Sequence, residues 1–189
     1  MRHCILTICL AGLLLAGCGR QPYVTPDRLD RGLVVVLPGI EGRGLLSDAI
    51  ARGLDEGGVD AAIEIVDWTS IWGPLYTLRA EDRNRDRAED IAQRILGYRW
   101  EHPGRPVVLV GHSGGGGLAV WVAERLPVGA AVDGLVLISP SLSPGYMLEY
   151  ALGKTERGIV SFHSRRDVFF LGMGTQVSGT LDGEHAASA

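Results

Sequence analysis

Short apolar runs alternate along this chain with segments whose apolar residues recur every three or four positions. Residues 33–37 (LVVVL) form a continuous run rich in β-branched side chains, which is typical of a strand buried on both faces of a sheet. Residues 79–96 place apolar side chains at helical spacing among arginines and acids, which predicts a long amphipathic helix with a solvated face. The pattern predicts strands at 33–37, 61–67, 106–110, 135–138 and 158–163 and further helices at 45–54 and 116–125, whereas residues 68–78 show no clear periodicity.

Strands that are separated by helices predict parallel βαβ units with helices on both faces of the sheet. The expected fold is therefore a compact three-layer α/β/α sandwich with a mainly parallel sheet. The length of 189 residues suits one such domain. The interval between residues 138 and 158 is too short for a separate lid domain, so a ligand site in this fold is expected to be fairly open. In sheets of this kind, ligands bind at the carboxyl ends of the strands.

Composition adds three points to this picture. The 27 glycines among 189 residues are about twice the usual share, and they show no collagen period, so they indicate turns and close backbone approaches. The formal net charge of −4 argues against a nucleic-acid partner. Outside the first 17 residues, cysteine and histidine do not occur at metal-ligand spacing, and we expect no metal and no cofactor.

The first 18 residues have the layout of a secretory signal, with an early arginine, an apolar run and then small residues. Residues 15–18 (LAGC) resemble the lipobox of bacterial lipoproteins. The resemblance implies a thioether-linked lipid on Cys18, cleavage before it and acylation of the new amino group; the alternatives are an ordinary secreted protein or an uncleaved anchor. Gly19 in place of aspartate favours the outer membrane of a bacterial envelope. We expect a signal peptide over 1–17, a lipidated tether over 18–31 and the folded domain over 32–189.

The segment Gly111-His112-Ser113-Gly114-Gly115 matches the pattern G-x-S-x-G and lies between an apolar strand and a predicted helix. A serine on such a tight turn needs glycine on either side, because side chains there would collide with neighbouring backbone. The helix amino terminus also favours developing negative charge. The context predicts that Ser113 is a nucleophile; the alternative is a structural glycine turn.

With that context, residues 32–185 resemble the α/β-hydrolase superfamily on its lipase and esterase side. Residues 37–42 (LPGIEG) look like the oxyanion loop of that fold. The resemblance implies that the backbone N–H groups of Ile40 and Gly114 form the oxyanion hole. The alternative is a plain glycine turn before a helix. Glu41 could contact substrate or face solvent.

A serine nucleophile needs a base, and in this superfamily the order along the chain is Ser, then Asp or Glu, then His. His185 lies in a loop-like segment near the end of the chain, and we expect it to be the base; the alternative is a terminal histidine without a role. The other histidines are less suited because they lie in the signal, on the wrong side of the sheet, next to the nucleophile or inside a strand: His3, His102, His112 and His163.

Asp167 follows the predicted fifth strand, where the superfamily carries its acid, and we expect it to orient His185. The alternative is a surface aspartate paired with a neighbouring arginine. Asp182 and Glu184 are rivals, although they lie very near His185 in sequence. Asp133 precedes its strand and is expected at the opposite edge.

The resemblance has gaps at the carboxyl end. The superfamily usually has a further strand before its histidine and a helix after it, yet 18 residues separate Asp167 from His185 and four follow. Either residues 175–181 supply a minimal last strand, or the chain is a truncated copy.

The predicted function is a serine hydrolase that cleaves a small-molecule or lipid carboxylic ester through an acyl-enzyme. The same machinery serves acyltransferases and peptidases, and a degenerate hydrolase used as an envelope scaffold is a further alternative. Five apolar residues after the second strand either line an acyl site or pack against the sheet: Trp68, Ile71, Trp72, Leu75 and Tyr76.

Overall fold

The computed structural model describes residues 21–163 and 180–183. The strands are β1 (Leu33–Leu37), β2 (Ala62–Ile65), β3 (Val107–His112), β4 (Gly134–Ile138) and β5 (Ile159–Phe162). The helices are α1 (Pro26–Leu29), α2 (Leu45–Glu56), α3 (Pro74–Arg79), α4 (Glu81–Glu101), α5 (Gly114–Arg125) and α6 (Glu149–Leu152). The predictions at Cys18, Asp167 and His185 lie outside the described residues.

The five strands form one parallel sheet in the order β2-β1-β3-β4-β5. Strand β1 pairs with β3 from Leu33 opposite Val107 to Leu37 opposite Gly111. Because all strands run the same way, the turns that follow β1, β2 and β3 meet at one edge of the sheet, called here the carboxyl edge. The predicted parallel sheet is confirmed.

Helices cover both faces of the sheet and create two hydrophobic clusters. One cluster packs α4 and α5 against the sheet and includes the fully buried Trp121 and Leu109. The other packs α2, through Ala51, against Val34 and Val36 of β1. This confirms the three-layer α/β/α sandwich. None of the helices in the described part of the chain is long and apolar enough to cross a membrane.

Several elements differ in extent from the prediction. Strand β3 continues through Gly111 and His112, and α5 begins at Gly114, because the glycines that look like a loop in the sequence allow close backbone packing there. Helix α3 was not predicted, since six residues are too few to show a helical period. Its first residue is Pro74, whose fixed φ suits that position.

The segment before β1, expected to be a tether, contacts the sheet over residues 21–31. The amide of Ile63 donates to the carbonyl of Tyr23, and the amide of Ile65 donates to the side-chain oxygen of Gln21. Arg28 donates to carbonyls of residues 59 and 61 and pairs with Asp55 at 2.7 Å. The segment therefore runs antiparallel to β2 along its outer side.

Candidate active site

Ser113 occupies the turn between β3 and α5 with φ 51° and ψ −121°, a conformation that side-chain-bearing residues rarely adopt. Its amide donates to the carbonyl of Ile138 at 3.0 Å. Its carbonyl accepts from the amides of Gly116 and Ser141, both at 2.9 Å. Strain of this kind costs about 1–3 kcal/mol and persists only where surrounding bonds enforce it. These bonds therefore fix the backbone of Ser113 at the carboxyl edge of the sheet.

Two glycines let α5 approach the sheet closely enough to make this turn. A Cβ on Gly111 would lie 2.3 Å from the carbonyl oxygen of Gly115. A Cβ on Gly115 would lie 2.2 Å from the carbonyl oxygens of both Leu37 and Pro38. These contacts are to backbone atoms, which cannot rotate away as a side chain can. The requirement for glycine on either side of Ser113, expected from the motif, is thus met by specific contacts.

The turn after β1 lies directly against the turn that carries Ser113, which we call the elbow. A Cβ on Gly114 would lie 2.8 Å from Cγ2 of Ile40, so the two residues predicted to form the oxyanion hole are neighbours. The indole N–H of Trp68 donates to the carbonyl of Pro38 at 2.7 Å, and its ring packs beside Gly114. Trp68 is 1% exposed. The indole therefore fixes the turn that carries Ile40.

A second set of hydrogen bonds holds the outer part of the same turn. The carboxylate of Asp67 accepts from the amide of Arg43 at 3.1 Å and from the amide and hydroxyl of Thr69. Gly42, at φ +81°, leaves room for Thr69, whose Oγ1 would lie 2.7 Å from a Cβ there. Partial burial raises the pKa of Asp67, but the hydrogen bonds from Thr69 and Arg43 outweigh it, and the pKa lies below its usual value. The ionised carboxylate thus links the turn after β1 to the turn after β2.

Glu41 and His112 also face each other across the site. Nδ1 of His112 lies 3.7 Å from Oε1 of Glu41. The carboxyl of Glu41 folds over Gly39, whose hypothetical Cβ would lie 2.2 Å from Oε2. Glu41 is half exposed, so it contacts the elbow while remaining open to solvent.

The described residues near the end of the chain lie at the carboxyl edge of the sheet, beside the segment that follows β4. Leu181 is fully buried against Gly117 and Leu142, and its amide donates to the carbonyl of Ser141. The side chain of Asp182 accepts from the amide of Ser143 at 3.1 Å and from its hydroxyl at 2.5 Å. Asp182, a rival for the catalytic acid, therefore anchors the chain beside β4.

Two residues that were judged unsuited to catalysis, His102 and Asp133, lie at the opposite edge of the sheet, as expected. Nδ1 of His102 lies 3.2 Å from Oδ1 of Asp30, before β1. The carboxylate of Asp133 accepts from the amide of Val107 at 2.8 Å and pairs with Arg99 at 3.2 Å. His102 therefore contacts the chain before β1, and Asp133 is bonded to the first residue of β3.

Of the five apolar residues after β2, Trp68 is the one that packs against the sheet. Trp68 packs inside, and its link to Pro38 was missed in the sequence, although a buried tryptophan N–H generally requires an acceptor. Ile71 and Trp72 are 96% and 76% exposed. Leu75 and Tyr76 are exposed as well. The side chains after Trp68 therefore neither pack against the sheet nor line an enclosed pocket in the described part of the chain.

Comparisons with known proteins agree with this architecture. The family model described as "Alpha/beta hydrolase family" matches residues 8–184. Similar solved structures include the esterase PE8 (17% identity, TM-score 0.46, covering 69% of this chain and 64% of that one) and lipase B of Aspergillus fumigatus (19%, 0.44, 61% and 25%). The siderophore hydrolase EstB of Aspergillus fumigatus is another (19%, 0.41, 62% and 37%). The chain spans less than two thirds of the length of each of these structures. No curated protein matches it. On the extent of the family match, this chain belongs to the alpha/beta hydrolase family.

Proposed function

We propose that this protein is a serine hydrolase that cleaves carboxylic esters, with Ser113 as its nucleophile. The observation that carries the proposal is the strained backbone of Ser113 between β3 and α5, next to Ile40 and Gly114. Backbone strain of this kind clusters at active sites, where the surrounding structure enforces it, and here Gly111 and Gly115 allow the close approach that enforces it. Family membership supports hydrolysis as the reaction class.

The proposed base is His185, and the reach of the chain supports it. The amide of Leu181 is bonded to Ser141, and the amide of Ser141 is bonded to Ser113. His185 is four residues beyond Leu181, and four extended residues reach about 13–14 Å. A chain of this length would allow the imidazole of His185 to reach the Ser113 hydroxyl.

The proposed acid is Asp167, four residues after His163. Strand β5 lies two strands from β3, which is about 10 Å at the usual strand spacing. Asp182 already accepts two hydrogen bonds from Ser143, which makes it less suited to orient an imidazole.

In the proposed reaction, His185 accepts the Ser113 hydroxyl proton while Oγ attacks the ester carbonyl carbon. The Ile40 and Gly114 amides stabilise the oxyanion of the tetrahedral intermediate, a role in which losing one donor typically costs about 2.7–4 kcal/mol of barrier. The protonated imidazole then gives its proton to the leaving alcohol, and the acyl group stays on Ser113. Water, deprotonated by His185, then attacks the acyl carbon. The imidazolium returns that proton to Oγ of Ser113 as the acyl–oxygen bond breaks, which releases the carboxylic acid and restores the enzyme.

We further propose that Cys18 carries lipid and anchors the protein in a bacterial envelope, at the outer membrane. The LAGC sequence at residues 15–18 and the apolar run before it support this modification. Several acyl chains at one residue give firm attachment, because each buried methylene contributes about 0.8 kcal/mol.

A fluorophosphonate probe tests the nucleophile directly, since it reacts with activated serines. Wild-type protein is expected to carry one label, on the peptide that contains Ser113, and Ser113→Ala is expected to carry none. Ser161→Ala is the matched control, because this exposed serine lies on β5 and its variant should label normally. Folded wild-type protein that stays unlabelled, or Ser113→Ala that still labels, would reject the proposal.

Ester hydrolysis tests the base and the acid. Asp167→Asn is expected to lower kcat by about 10⁴-fold, because the imidazole then loses its orienting carboxylate. His185→Ala is expected to lower it at least as much, and His163→Ala serves as the control. Release of free carboxylic acid, measured with ester and amide substrates, separates ester hydrolysis from acyl transfer and peptide cleavage.

A further inference from the structure

Exposed apolar side chains gather at the carboxyl edge of the sheet. Leu45 and Leu46 begin α2, directly after the turn that carries Ile40, and they are 93% and 48% exposed. Ile71, Trp72, Leu75 and Tyr76 follow β2 at the same edge and are all exposed. The hydrogen bond from the Arg43 amide to Asp67 holds the two groups together. We call these six residues the apolar rim.

The amino-terminal segment leaves the domain at this same edge. Tyr23 is bonded beside Ile63 and Gln21 beside Ile65, so the chain runs toward the carboxyl end of β2 as it is followed back toward Cys18. Gln21 also lines a cavity of about 310 Å³ together with Arg43, two residues before the rim begins. Only two residues lie between Gln21 and Cys18, and three residue steps of extended chain reach about 10–11 Å.

Exposed apolar side chains also occur at the opposite, amino edge of the sheet, but they lie farther from the point where the amino-terminal segment leaves the domain. Helix α4 starts after β2 and ends before β3, so Trp100 near its end lies toward the amino edge, 88% exposed. Val128, after the end of α5, is likewise exposed there. These side chains stand a full strand length away from the point where Gln21 leaves the sheet.

From this arrangement we infer that the apolar rim docks on the lipid surface that holds the Cys18 anchor, with Ser113 facing the membrane. The inference rests on the lipidation proposed above. So short a connection brings the carboxyl edge to the headgroup region, where tryptophan and aliphatic side chains are favoured. The substrate class that follows is an ester presented at a membrane surface, which reaches Ser113 from the bilayer side.

Tryptophan fluorescence in vesicles tests the orientation, since Trp72 and Trp100 are the exposed tryptophans at the two edges. Full-length lipidated protein is placed in vesicles whose phospholipids are brominated on their acyl chains. With Trp100→Phe, the emission of Trp72 is expected to shift to shorter wavelength and to lose most of its intensity. With Trp72→Phe, the emission of Trp100 is expected to stay as in water. The double variant supplies the background of the buried Trp68 and Trp121.

Each contrary outcome identifies what has failed. Absence of lipid mass on Cys18 overturns the anchor and the docking together. Lipidated protein in which Trp100 is quenched as strongly as Trp72, or neither is quenched, overturns the docking alone. A wavelength shift of Trp72 without bromine quenching assigns the rim to a second protein copy and also overturns it. Fluorophosphonate labelling in detergent tests the proposed hydrolase activity separately, whatever the lipid and fluorescence results.

A rate comparison tests the substrate class. The double variant Ile71→Gln/Leu75→Gln is expected to lower hydrolysis of a vesicle-borne ester, relative to a water-soluble short-chain ester, by about tenfold or more, because two large apolar side chains no longer bury in lipid. Val128→Gln is the matched control at the other edge and should leave the ratio unchanged. An unchanged ratio in the double variant would refute membrane-side delivery of substrate.

Discussion

Gly115→Ala perturbs the close approach between α5 and the turn after β1. The added Cβ would lie 2.2 Å from the carbonyl oxygens of Leu37 and Pro38, and ordinary Cβ contacts stay beyond 3.0 Å. The helix and the turn must therefore separate by about 0.8 Å. A misplacement near 1 Å can lower a catalytic rate by about 100-fold, and Ile40 is carried on the displaced turn.

The same substitution affects stability in two opposing ways. Forcing a methyl group into a packed site usually costs about 1–3 kcal/mol, whereas alanine gains about 1 kcal/mol over glycine in a helix. We expect a net loss of no more than about 2 kcal/mol, which lowers Tm by at most roughly 8 °C in a domain of this size. Catalysis should thus suffer far more than folding, because the variant remains folded while the turn that carries Ile40 has moved.

Two measurements check this reasoning: the rate of fluorophosphonate labelling at Ser113, and thermal unfolding followed by circular dichroism. Gly97→Ala is the matched control, since Gly97 lies inside α4 with no atom within 4 Å of its hypothetical Cβ. It should gain about 1 kcal/mol and label at the wild-type rate. A Gly115→Ala variant that labels as fast as wild type would show that the close approach does not position the oxyanion turn.

Three further predictions concern the bonds around the site. Trp68→Phe leaves the buried carbonyl of Pro38 without its donor, and we expect a loss of about 1–3 kcal/mol in urea unfolding together with slower probe labelling; wild-type labelling would contradict the positioning role. Asp182→Asn weakens two hydrogen bonds from Ser143 and should cost about 1–2 kcal/mol while ester hydrolysis persists, and lost hydrolysis in folded protein would make Asp182 the acid. The pKa of Asp67 is lowered in the folded protein, so its ionised carboxylate stabilises the fold. This stabilisation should be complete above pH 3.8, the usual pKa of the group, and should disappear as the pH falls below it. The stability difference between wild type and Asp67→Asn should therefore shrink in acid, and a constant difference down to pH 2 would contradict it.

The turn at Ser113 could be predicted from the sequence because its pattern is contiguous: an apolar strand, glycines at 111 and 115 and a helix follow one another within about 20 residues. The exact start of α5 could not be predicted, because four successive glycines look like a loop in the sequence. Gly115 is required by the backbone of Leu37 and Pro38, which is far away along the chain. The antiparallel docking of Gln21 on β2 likewise joins residues 44 positions apart.

The amino-terminal segment shows why composition alone misleads at such a place. Residues 19–31 are polar and carry two prolines, as a flexible tether does, so the sequence indicated a free linker. Strand β2 is an edge strand, however, and edge strands present backbone groups that need partners. The Gln21 side chain accepts from the Ile65 amide and donates to its carbonyl. Arg28 donates to the carbonyls of residues 59 and 61, just before β2. The polar side chains of this segment therefore bind the edge of the sheet. A free linker would let the domain rotate about Cys18, whereas the docked segment leaves the domain at the carboxyl edge. If Cys18 carries lipid, as proposed above, this docking would hold the edge that carries Ser113 toward the membrane.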